Sequence, residues 1–152
     1  MRVSILRLLF TAAIEFAATG YSDAPRLAPV HGTVTLDGKP LDHGMVIFET
    51  PGHRSAVACV VDGQILGATT FKLNDGVPVG TPKIAVTSIS QVDMSRKAGT
   101  TPEEIFKNQD IYMGGKSLIP AMYNDPATSG LTAEVPAGGA TIELRLVSSP
   151  GK

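Results

Sequence analysis

A chain of 152 residues with 43% hydrophobic content has room for one ordinary domain with a real core, and is too apolar to be disordered. With 16 Gly, 11 Pro and only 18% charged residues, it favours short strands joined by turns over a helical bundle. A net charge of −1 with no basic stripe removes the electrostatic footprint of a nucleic-acid partner and of a polybasic membrane patch.

The first twenty residues read as an export signal. Arg2 gives a weak positive start, and the run from Ile5 to Ala18 is mostly apolar. Ala18-Thr19-Gly20 then supplies small residues before a cut at Tyr21. Arg7, Glu15 and an apolar run shorter than the ~20 residues of a bilayer span argue against a transmembrane anchor. The expected address is therefore secreted or periplasmic, with membrane association only if residues 1–20 are retained. Residues 21–30 contain two prolines and no periodicity, and read as a tether.

From residue 31 the chain reads as strands. The first spans 31–36 and ends in Asp37-Gly38, a pair suited to the two positive φ values of a type I′ hairpin turn. Pro40 has no N–H, so the return strand belongs at an edge. A second strand covers 44–49 and a third 55–61, broken by Asp62-Gly63. That third strand holds the single cysteine, Cys59, in the continuous apolar run 56–61, which reads as a buried position. Thr69 to Leu73 alternates as a fourth strand before the turn Asn74-Asp75-Gly76. The fifth strand covers 83–89, with Ile84 and Val86 alternating and Ile89 joining them inside. The sixth and seventh span 131–135 and 141–146. In the seventh, Ile142, Leu144 and Leu146 share one face, and Thr141, Glu143 and Arg145 share the other. Between strands five and six, Thr101-Pro102-Glu103-Glu104 is a helix-start signature, so a short helix is expected over 102–108. An irregular apolar loop follows over 118–130, and is expected to lie over one end of a sandwich.

Two phrases carry a family resemblance. One is Gly32-x-Val34-x-x-x-Gly38-x-Pro40-Leu41 followed by Val46-Ile47-Phe48. The other is Ile119-Pro120-x-x-Tyr123-x-Asp125-Pro126-x-Thr128-Ser129-Gly130-Leu131-Thr132. Together they resemble the carboxypeptidase regulatory-like (prealbumin or transthyretin-like) domains of small exported planctomycete-type proteins, over about residues 30–147. The resemblance implies an all-β, prealbumin-like Greek-key sandwich of about seven strands over 31–148, with one short helix in a long loop. It implies a non-enzymatic cell-envelope domain without a cofactor. Relatives often carry a lipidated cysteine at the end of the signal; Tyr21 stands there in this chain, and no thioether forms on Tyr. Pro82 likewise replaces an aromatic that often leads into the fifth strand.

Chemistry-bearing residues are sparse. His31, His43 and His53 show no metal-binding spacing, and Asp37, Asp42 and Asn74-Asp75 form no calcium loop, so turn roles are expected for them. Ser129-Gly130 has no His near it in sequence. Glu103 and Glu104 point about 100° apart on a helix and share no site. A ureide hydrolase of the same fold ends in a Tyr-Arg-Gly-Ser phrase that the terminus Ser148-Ser149-Pro150-Gly151-Lys152 lacks. Residues 140–148 also contain no Asn for an isopeptide bond. The expected role is a structural or interaction module that meets an envelope protein or a glycan. Its contact surface is expected on the 113–130 loop and the 37–43 turn, with Met122, Tyr123, Asp37, Lys39 and His43 as candidates. Of the two roles open to Tyr123, a core or loop anchor is expected ahead of a contact residue. The alternative is a ligand- or carbohydrate-binding module. Without Trp, its stacking platform would rest on three Tyr and five Phe.

Overall fold

The computed structural model describes residues 24–90, Thr101, Glu103 and 114–149. The export signal expected over 1–20 lies outside the described residues, as does the helix expected over 102–108 apart from Glu103. The regular structure is almost wholly β. In chain order the strands are β1 (Leu27–Ala28), β2 (Val30–Leu36), β3 (Lys39–Pro40), β4 (His43–Glu49), β5 (Ala56–Val61), β6 (Gln64–Thr69), β7 (Val77–Pro78), β8 (Lys83–Thr87), β9 (Leu131–Thr132) and β10 (Ala140–Leu146). Among the described residues between β8 and β9, Ala121–Asn124 form a 3₁₀ turn.

One sheet holds most of the molecule, in the order β10-β2-β6-β5-β4-β8-β9. It curls over its own inner face into a sandwich-like half-barrel. Neighbours pair antiparallel except β10 and β2, which run parallel in register from Ala140↔Val30 to Leu146↔Leu36. β3 pairs the last two residues of β2 at Thr35↔Pro40 and Leu36↔Lys39. That pairing places Pro40 on a two-residue return strand, as its missing N–H requires. Phe48, Val46, Val60, Ile65, Ile84 and Leu146 meet on the concave face and are almost fully buried. A smaller sheet pairs β1 with β7.

Two Asp-Gly turns shape this sheet. Asp37 and Gly38 have φ of 52° and 79°, and Asp62 and Gly63 have 48° and 76°. Both therefore make the turn whose twist matches paired strands. The first was expected as a hairpin; the second was expected only to end a strand. It instead turns β5 directly into β6, with Val61 opposite Gln64.

This moves the fourth strand from 69–73 back to 64–69. Gly67, with φ of 67°, sits in the middle of β6 and obscures its alternation. Beyond Thr69, the Asp75 carboxylate accepts the amides of Thr70 (2.6 Å), Phe71 (2.9 Å) and Lys72 (2.8 Å). Those amides are taken by a side chain, so the alternating residues 69–73 bend away from the ladder. Burial opposes ionisation of Asp75, but the amides outweigh it and hold its carboxyl below the ordinary value.

Part of the stretch expected as a tether is folded. Leu27 and Ala28 form β1, and Ala28 and Val30 are buried. Absence of periodicity is uninformative for a strand of two residues.

Candidate functional site

β5 alternates strictly: Ala56, Ala58 and Val60 point into the core, while Val57, Cys59 and Val61 point out. Cys59 is therefore exposed, contrary to the expectation drawn from its apolar neighbours. An unbroken apolar run suggests burial on both faces, but only one face of β5 is covered. Register extends this outer face across the sheet. Cys59 stands opposite Met45 on β4 and Leu66 on β6, and Met45 stands opposite Thr87 on β8. Met45 is 44% exposed, Val61 49% and Leu66 48%. Ile89 continues the patch at 50%, because Ser88 and not Ile89 takes the inward position at that end.

A groove of about 380 Å³ lies on this face, lined by Met45, Cys59, Val61, Thr87, Ile89 and His43. His43 closes one end of it. Its Nδ1 lies 2.8 Å from the Asp42 carboxylate, and its Nε2 lies 2.7 Å from the Ile89 carbonyl. Both partners accept, so the ring satisfies both only when it carries two N–H groups as the cation. The Ile89 carbonyl and the Asp42 carboxylate accordingly raise its pKa above the ordinary 6.5. The Ser88 hydroxyl donates to the His43 carbonyl at 2.6 Å, tying the same two strand ends together. The stabilising contribution of His43 is then fully present below 6.5 and is lost as pH rises through its raised value. Melting temperatures are expected to fall over that window, and His43→Gln is expected to remove that part of the slope.

The other expected contact residues lie elsewhere. Asp37 and Lys39 sit at the first hairpin. The Asp37 amide donates to the Leu146 carbonyl, and its carboxylate accepts the Ser148 amide at 2.9 Å. Ser148, through its hydroxyl and its amide, holds that carboxyl below the ordinary value. Lys39 is exposed. Tyr123 is only 5% exposed, packs in the core, and accepts the Val147 amide on its hydroxyl at 3.2 Å. Met122 beside it is half-buried against the core. The 37–43 turn and the 118–130 loop thus meet at the end of β10, where Asp37 and Tyr123 bind consecutive amides. Their contact is internal: the two groups grip the chain end. His43 instead borders the groove, apart from this cluster.

The second sequence phrase has a similar internal role. The buried Ser129 hydroxyl donates to the Ile84 carbonyl and accepts the Leu131 amide. Asp125 accepts the Ala127 amide at 2.7 Å, and the Thr128 hydroxyl donates to the Met122 carbonyl at 2.7 Å. These bonds fold the loop on itself and fasten it to β8.

Sequence reasoning missed the outer apolar face. The alternation of Val57, Cys59 and Val61 against small inward alanines was the signal that could have found it. Among the described residues no three His, Cys, Asp or Glu side chains gather as metal ligands, and no helix is long and apolar enough to cross a membrane. The chain matches no family model, no curated protein and no solved structure in these comparisons.

Proposed function

We propose that this chain is a non-enzymatic interaction module of the cell envelope, docking a partner protein on the outer face of β4, β5 and β6. The observation that carries the reading is the uncharged row Met45–Cys59–Leu66, flanked by Val57, Val61 and Ile89. A contiguous apolar patch on a soluble domain costs solubility and marks contact surfaces. The fold proposed for it is the prealbumin-like Greek-key sandwich of carboxypeptidase regulatory-like domains. Support comes from the two sequence phrases, which fold into one unit joined through Ile84, Val147 and Ser148. Export rests on the apolar segment 5–18 and the small residues before Tyr21.

A second reading is favoured by the groove beside His43. Its apolar lining suits an acyl or other apolar ligand better than a sugar. A stacking platform for glycans has less support: the exposed Phe71 ring is covered by the Arg54 guanidinium at 5.9 Å.

Cys59 is the only cysteine, so a polarity-sensitive fluorophore attached there reports on the patch alone. A blue shift with envelope proteins, abolished by Leu66→Glu, is expected for protein docking. A shift with fatty acids and none with proteins would replace it by the ligand reading. Silence toward both would sink the two together.

A further inference from the structure

We propose that the free edge of β10 pairs with β10 of a second copy of this chain, antiparallel and centred on Leu144. The proposal concerns a surface separate from the outer apolar face. β10 ends the sheet order, and among the described residues no strand pairs with its other side. The direction of its backbone groups follows from the parallel ladder. The Ala140 amide donates to the Pro29 carbonyl, and the Leu146 carbonyl accepts the Asp37 amide. Even-numbered residues therefore face β2, and the N–H and C=O groups of Thr141, Glu143 and Arg145 face outward. The Val147 amide, next in this outward series, is taken by the Tyr123 hydroxyl, which ends the open stretch.

Proteins commonly blunt such an edge with a single repelling charge. This edge instead carries one charge of each sign. Glu143 and Arg145 are exposed on the same face and paired through two 2.9 Å hydrogen bonds. A twofold axis through Leu144 sets Glu143 of each copy opposite Arg145 of the other. Both residues are outward-facing, so these are also the positions that exchange backbone hydrogen bonds. Shifting the axis to Glu143 or Arg145 opposes like charges, which destabilises a cross-strand pair. The edge is thus complementary to its own twofold image in one register. Burying no charge, it forms a weak, concentration-dependent dimer of strand-addition type.

Sedimentation equilibrium of the full chain up to about 1 mM should show the mass rising from the 15.9 kDa of one chain toward twice that value. Glu143→Arg and Arg145→Glu should each weaken association at least about tenfold, with melting temperatures close to wild type. Mixing the two variants should restore it, because every cross-strand pair in the heterodimer is again of opposite sign. Amide exchange at Glu143 and Arg145 should slow with concentration. A single-chain mass across the whole range would overturn the proposal. So would association indifferent to both reversals, or a mixture that fails to associate.

Discussion

Replacing Gly32 by alanine is expected to destabilise the domain by about 3 kcal/mol, lowering its melting temperature by roughly 10 °C. Gly32 sits in β2 with φ of 152°, directly opposite Ile142 of β10. A Cβ there would fall on the Ile142 carbonyl oxygen, and 2.8 Å and 2.9 Å from its carbon and nitrogen. Those are backbone atoms of a paired strand, so relief requires moving the ladder itself. Gly38 provides the contrast: its φ is 79°, but a Cβ meets nothing within 4 Å. Gly38→Ala is expected to cost only the backbone strain, about 1 kcal/mol. Urea unfolding of both variants checks the difference, and equal losses would remove the close-approach explanation.

Tyr123→Ala is expected to cost about 3–5 kcal/mol, the range for truncating a buried aromatic. The ring fills the core between the curled sheet edges, and its hydroxyl satisfies the Val147 amide just beyond β10. Tyr123→Phe separates the two roles: it keeps the ring and leaves that amide without its partner, at about 1 kcal/mol. Thermal unfolding of both variants checks the split. If Tyr123→Ala left the melting temperature unchanged, the anchoring role would be wrong.

Much of the fold class was legible because alternation survives in the long strands. β2, β4 and β10 lie within one residue of their expected bounds, and Ile142, Leu144 and Leu146 point inward as read. Asp37-Gly38 declared its turn through residue chemistry alone. The failures share a physical cause, which is that apolar pattern shows neither which partner takes a backbone group nor which face of a strand is covered. The alternation of 69–73 was cancelled when one carboxylate captured three amides, and β6 was hidden by Gly67. Cys59 was misplaced because an apolar run does not say which of its faces the molecule covers. Of the expected contact residues, His43 borders the groove, whereas Tyr123 and Asp37 serve the chain end. Which residues converge across a distance of 111 positions, as Asp37 and Ser148 do, is a property of topology and is not encoded in any local spacing.

The parallel union of β2 with β10 has a kinetic consequence. Among the described residues these are the second and the tenth strands, and β2 gains a partner on that side only once β10 has arrived. Closing so long a loop before any contact rewards it gives high contact order, and such β topologies fold in milliseconds to seconds. During synthesis, the sheet therefore stays incomplete until β10 has left the ribosome and joined β2.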